Sequence, residues 1–147
     1  MADFQHIDIL LVEDTATDAE MTMRALRKRG LANNLTWVKD GAEALDFLHC
    51  RGAFEGRDDA RPKLVLLDVK MPKVDGLDVL RHMRGHELLR PVPVVMLTSS
   101  AEERDVVDSY NLGANSYIVK PMDIEEFDRV VSEIGLYWML MNKTSYR

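Results

Sequence analysis

Lys63-Leu64-Val65-Leu66-Leu67-Asp68-Val69-Lys70-Met71-Pro72 decides the fold of this chain. Four consecutive apolar residues, Leu64 to Leu67, end in a carboxylate. A short apolar run bounded by turn signals suits a strand buried on both faces, as in a parallel sheet. Asp68 then stands where the strand runs out, and open parallel sheets bind ligands at the carboxyl ends of their strands. An isolated aspartate there is more simply a cap or turn residue, so the rest of the chain has to decide.

Outward from this stretch, apolar runs read as strands at 7–12, apart from Asp8, and at 94–97; 35–38, with Trp37 and Val38 of good β propensity, and 115–119 read as two more. Helical patterns alternate with them. The first spans 15–29, with Ala19, Met23, Leu26 and Met21 forming a partly amphipathic stripe and Gly30 as its stop. The second spans 42–48, after the turn signal Asp40-Gly41. The third spans 77–84, after Asp75-Gly76. Ser100 with Glu103 fits a capping box for a fourth helix to about Tyr110, and Asp123 caps a last one from 124 to about 141. Between the second helix and the central strand, residues 49–62 read as a helix tail and an exposed loop. Strands thus alternate with helices about five times, which argues a parallel sheet with helices on both faces.

Right-handed crossovers put all strand ends on one edge. That edge collects Glu13, Asp14, Asp68, Thr98 and Lys120, each just past a strand or at its end. Three clustered carboxylates repel one another and need a cation; hard oxygen ligands suit Mg²⁺. An aspartate can also act as a nucleophile toward phosphorus. Asp68 stands alone after its strand and is the expected acceptor. The adjacent pair Glu13 and Asp14 is better placed to hold metal. Mg²⁺, Lys120 and the Thr98 hydroxyl would then each meet one phosphoryl oxygen.

Val12-Glu13-Asp14, Asp68-Val69-Lys70-Met71-Pro72, Asp75-Gly76, Thr98-Ser99 and Lys120-Pro121, in this order, resemble the receiver domain of two-component response regulators. The resemblance covers residues 7 to about 134, with 1–147 as a single receiver domain carrying a C-terminal helical extension. It implies a five-stranded doubly wound sheet in flavodoxin-like order. It implies phosphorylation of Asp68 by a histidine kinase, with Mg²⁺ on Asp14, Asp68 and the backbone carbonyl of Lys70, and Glu13 acting through a metal-bound water. It implies a cis Lys120-Pro121 bond, and it matches Tyr117 to the family's switch aromatic beside Thr98. Lys70 departs from the asparagine or other polar residue of several relatives. That cation either pairs with the phosphoryl group, pairs with Glu13 in the empty site, or is simply solvated. The second helix, the long loop and the ending Ile134-Gly135-Leu136-Tyr137-Trp138 further resemble single-domain regulators that accompany bacterial phytochromes, so the expected kinase is a bacteriophytochrome.

Two other classes compete. A haloacid-dehalogenase-type phosphatase also forms an aspartyl-phosphate, but needs a second Asp where Lys70 stands. A receiver-like binding module without phosphotransfer would not need the full set of acids, Thr98 and Lys120. Net charge is −6 with no long basic block, which argues against nucleic acid. No apolar run reaches membrane-spanning length and no signal-peptide pattern opens the chain. The single cysteine, Cys50, fits a reducing cytoplasm. His82 and His86 have i, i+4 spacing, but nothing in sequence completes a metal set, so they and His6 and His49 read as surface histidines. The nine methionines read as core filler. The last helix carries two apolar stripes. Phe127, Val130, Val131, Ile134, Trp138 and Met141 are expected to cover the sheet. Leu136, Met139 and Leu140 face away, which predicts a homodimer. After it too few residues remain for an attached DNA-binding domain, so output is expected through a protein target.

Overall fold

A computed structural model describes residues 9–31, 34–57 and 61–143. Five parallel strands, β1 (Ile9–Val12), β2 (Leu35–Val38), β3 (Leu64–Leu67), β4 (Val94–Thr98) and β5 (Ser116–Val119), form one sheet in the order β2-β1-β3-β4-β5. This is the doubly wound, flavodoxin-like order that the receiver resemblance implies. Residues 7 and 8 of the expected first strand lie outside the described residues.

Alternate side chains of each strand point to opposite faces. Leu10, Val12, Val65, Leu67, Val94 and Met96 pack with α2 (Gly41–Leu48) and α3 (Gly76–Gly85). Ile9, Leu11, Leu64, Leu66, Val95 and Leu97 pack with α1 (Ala16–Lys28) and α5 (Ile124–Leu136). Burial on both faces explains why β1, β3 and β4 are continuous apolar runs rather than alternating ones. On α1, Thr22 and Ala25 join Ala19 and Leu26 inside, while Met21 and Met23 are only half-buried. The Thr22 hydroxyl donates to the Asp18 carbonyl, so it needs no water.

Three helices start on an aspartate cap. Asp40, Asp75 and Asp123 accept from the amides of Glu43, Asp78 and Glu126 at 2.9, 2.9 and 3.0 Å. Such a cap contributes about 1 kcal/mol each. The helix α4 (Glu103–Asn111) departs from expectation: its N-cap is Glu102, without a side-chain cap. Ser100 is spent elsewhere, its hydroxyl donating to Asp105 at 2.5 Å.

The 49–62 segment is better anchored than its polarity suggests. A short 3-10 turn at Gly52–Phe54 sets Phe54 edge-on against Phe47, ring centres 5.1 Å apart. The Arg57 guanidinium lies 3.9 Å over the Phe47 ring and donates to the Phe47 carbonyl. Residues 58–60 lie outside the described residues.

The carboxy-terminal end also differs from the expected single helix. Past Leu136 the chain widens into a π turn, Tyr137–Met141, closed by the Asn142 amide donating to the Tyr137 carbonyl at 2.8 Å. An i→i+5 turn advances each residue through a smaller angle than an α turn. Met139 therefore comes round with Trp138 onto the α1–α5 layer. Met141, expected to cover the sheet, is instead exposed together with Tyr137 and Leu140.

Candidate functional site

The strand register assembles the site. Val12 pairs with Leu67, Leu67 with Met96, and Thr98 with Val119. Glu13, Asp68 and Lys120 thus follow their strands onto one edge, where Thr98 closes β4. The Asp68 amide donates to the Val12 carbonyl at 3.1 Å and the Lys120 amide to the Thr98 carbonyl at 2.7 Å, so the ladder holds these turns in place. Gly76 adds a constraint: a Cβ there would stand 1.9 Å from the Asp68 carbonyl oxygen. Only glycine lets the start of α3 lie against the acceptor loop, where its amide donates to the Val69 carbonyl at 2.7 Å.

All three predicted acids converge. Glu13, Asp14 and Asp68 present one carboxylate oxygen each within 4.8 Å of one another, Glu13 and Asp68 buried and Asp14 exposed. The Lys120 ammonium sits among carboxylates, 2.5 Å from Glu13 Oε1, 2.9 Å from Asp18 Oδ2 and 3.7 Å from Asp68 Oδ2. Asp18 is a site residue that strand-end reasoning misses. Its signal is present in the sequence, one helical turn after Asp14 and in the first turn of α1.

One ammonium cannot neutralise this cluster. Burial raises the Glu13 pKa from the usual carboxylate range to about 7; the Asp68 charge adds to this, and Lys120 opposes it. For Lys120, burial favours the neutral amine, but the hydrogen bonds its ammonium donates to Glu13 and Asp18 and the charge of Asp68 outweigh it and raise its pKa. The donor set is all oxygen and carries surplus negative charge, which fits a hard divalent cation.

The other predicted residues surround this centre. Thr98 is buried, and its Oγ1 accepts from the Ser100 amide at 3.2 Å. The Tyr117 hydroxyl donates to the Ser100 carbonyl at 2.8 Å, so Thr98 and Tyr117, the two residues expected to act as a switch, both bond to Ser100. Lys70 reaches neither Glu13 nor open solvent alone. Its ammonium pairs with Glu102 at 3.3 Å and Asp105 at 3.8 Å, at the start of α4, because Lys120 already occupies Glu13. The Lys120-Pro121 bond is trans, not cis. Trans is the form a prolyl amide favours by about 0.5–1 kcal/mol, and with it the Lys120 ammonium already reaches the acids.

This geometry coincides with sequence similarity. Residues 9–132 match the response regulator receiver domain. The chain belongs to that family. Its receiver fold matches the Mn²⁺-bound form of response regulator Rcp1 with a TM-score of 0.87 at 34% identity, over 94% of this chain and 98% of that one. The curated Rcp1 of Synechocystis sp. is 36% identical over 89% of this chain and 88% of its own length. The phosphorylated cyanobacterial phytochrome response regulator RcpA superposes with a TM-score of 0.88 at 33% identity, covering 95% and 99%. The bacteriophytochrome response regulator AtBRR is 48% identical, with a TM-score of 0.74, covering 93% and 98%. The protein is therefore a two-component receiver homologous to phytochrome response regulators, and its family implies a histidine kinase as partner. Among the described residues no helix is long and apolar enough to cross a membrane.

Proposed function

We propose that this receiver takes a phosphoryl group on Asp68 from the phosphohistidine of a bacteriophytochrome kinase in the cytoplasm, and signals by protein contact. The observation that carries the reading is Asp68 beside Lys120 at 3.7 Å, within the Glu13–Asp14 acid cluster. An Asp68 carboxylate oxygen forms the new bond to phosphorus. The phosphorus–nitrogen bond breaks, and the donor imidazole keeps the electron pair and takes up a proton. Lys120 pairs with one phosphoryl oxygen and the Thr98 hydroxyl donates to another. Asp14, Asp68 and the Lys70 carbonyl would hold Mg²⁺, with Glu13 acting through a coordinated water, and the ion supplies charge neutralisation at the remaining oxygen. The same residues serve self-phosphorylation from small phosphodonors and later hydrolysis.

The phytochrome assignment rests on the similarity to AtBRR, RcpA and Rcp1. In our reading 1–147 forms one receiver domain whose carboxy-terminal extension pairs two copies. Exposed Tyr137, Leu140 and Met141 support that pairing. The deciding experiment mixes the purified protein with phosphorylated, radiolabelled kinase in Mg²⁺. Asp68→Asn keeps the shape but removes the nucleophilic oxygen, so label transfer should vanish while the melting temperature stays near the parent's. Full labelling of Asp68→Asn would overturn the assignment.

A further inference from the structure

The carboxyl ends of α2 and α3 lie at the edge of the sheet opposite the acidic site, because each helix runs back against its strand. Three histidines meet there. His49 is the C-cap of α2, His82 is in the last turn of α3 and His86 is its C-cap. The ring centres of His49 are 4.9 Å from His82 and 5.0 Å from His86, and those of His82 and His86 are 6.1 Å apart. His86 has already left the helix, with φ −107° and ψ 125°. The i, i+4 spacing of His82 and His86 is thus not what makes the cluster; His49, from another helix, is.

Two observations mark these rings as ligands rather than surface side chains. His49 Nε2 and His82 Nε2 lie 2.7 Å apart. Two ring nitrogens at that distance need one lone pair between them, so at least one ring is neutral, the form that binds metal. The second observation is His86 Nδ1, which is buried without a hydrogen-bond partner among the described residues. Buried polar atoms rarely stay unsatisfied, and such an exception calls for a missing partner.

We propose that His49, His82 and His86 form a three-imidazole site for a borderline divalent transition metal of the Zn²⁺ class, with water in the fourth position. Imidazole nitrogens select such ions over Mg²⁺. With metal–nitrogen bonds of about 2.0–2.1 Å at tetrahedral angles, ligand rings stand about 5 Å apart, centre to centre. The two sides of the triangle that include His49 have that length. The metal replaces the 2.7 Å contact by opening it to about 3.3 Å, the separation of two nitrogens on one tetrahedral ion. Among the described residues only the acid trio already offers three ligand atoms within 4.8 Å, so one imidazole must turn. Its χ2 torsion is broad and allows this. The bound ion then ties the end of α2 to α3.

The test is a Co²⁺ and Zn²⁺ titration of the untagged full chain in excess Mg²⁺, which keeps the acidic site filled. One equivalent of Co²⁺ should bind and give the intense visible bands of a four-coordinate site. Zn²⁺ should displace it and raise the melting temperature. His49→Gln, His82→Gln and His86→Gln should each weaken Co²⁺ binding at least tenfold and keep Asp68 labelling, which shows the fold intact. Asp14→Ala and Cys50→Ser should bind Co²⁺ as the parent does. No four-coordinate spectrum, undiminished binding in His49→Gln/His82→Gln, or equal loss in Asp14→Ala or Cys50→Ser overturns the site.

Discussion

The Tyr117 hydroxyl donates a 2.8 Å hydrogen bond to the backbone carbonyl of Ser100, whose own amide donates to Thr98 Oγ1 at 3.2 Å. Tyr117 and the Thr98 hydroxyl are therefore linked through one residue of the β4–α4 loop. If Thr98 turns to a phosphoryl group on Asp68, Ser100 loses its acceptor and the Tyr117 bond is disturbed. A local charge change thus reaches α4 through a packed, two-state contact. Thr98→Ala should still accept phosphate, whereas the backbone chemical shifts of 103–111 should no longer respond to beryllofluoride. Tyr117→Phe should lower stability by about 1 kcal/mol, the net worth of one hydrogen bond, without abolishing labelling. Unchanged parental shifts on this face with the mimic bound would rule the coupling out.

Glu13 makes metal binding sensitive to pH. Burial and the Asp68 charge raise its pKa to about 7 against an ordinary 4.5. Between these values the folded state holds a proton that the unfolded state has released. Its contribution to stability is full below about pH 4.5 and is lost as pH rises through about 7. A divalent cation offsets that loss by accepting the ionised carboxylate. The rise in melting temperature caused by Mg²⁺ should therefore be larger at pH 8 than at pH 6, and Glu13→Gln should flatten the difference. Calorimetry in two buffers of different ionisation enthalpy should show a proton released on Mg²⁺ binding at pH 6. Equal Mg²⁺ shifts at both pH values would refute the raised Glu13 pKa.

Gly76 controls the acceptor from outside the acid cluster. A Cβ would stand 1.9 Å from the Asp68 carbonyl oxygen and 2.9 Å from the Val69 Cα, both backbone and unable to turn aside. Gly76→Ala must push α3 from the Asp68 loop or distort that loop. The expected cost is about 1–3 kcal/mol, typical of overpacking. Label transfer should slow as well, because Asp68 loses its register with Lys120. A chemical denaturation curve measures the first effect and single-turnover labelling the second. A variant with parental stability would show that the helix start yields more freely than this packing allows.

The central strands were legible because their burial writes itself as apolar runs, as in Leu64–Leu67, whereas the half-buried edge strand Leu35–Val38 was legible from the β propensity of Trp37 and Val38. The acids and Lys120 were legible because parallel topology sends strand ends to one edge. What stayed hidden depends on partners distant in sequence or on helix winding. Asp18 sits one turn past Asp14, but its bond to Lys120, 102 residues away, is what the local pattern does not show. His49 meets His82 across 33 residues, which no local spacing reveals. Ser100 has capping chemistry, but its hydroxyl is turned to Asp105 and meets only the Glu102 amide, at 3.4 Å, rather than that of Glu103. Lys70 is drawn to α4 because Lys120 already holds Glu13. The apolar stripes after Leu136 assume an α winding that the π turn does not keep.

That winding decides which residues can join two copies. Met139 is half-buried against the α1–α5 layer and Leu136 is half-buried, whereas Leu140 and Met141 are 67% and 72% exposed, and Tyr137 beside them is 51% exposed. The extension therefore presents a tip of large exposed side chains, Tyr137, Leu140 and Met141. A two-fold pairing buries the same patch on both copies at once. Each fully covered aliphatic side chain contributes about 1.5–3 kcal/mol, so a few such residues account for micromolar association. The parent should sediment as a dimer at micromolar concentration. Leu140→Glu with Met141→Glu should give a monomer with parental Asp68 labelling, because the tip lies outside the acid cluster. A parent that sediments as a monomer, or a Leu140→Glu/Met141→Glu protein that still pairs, would exclude this interface.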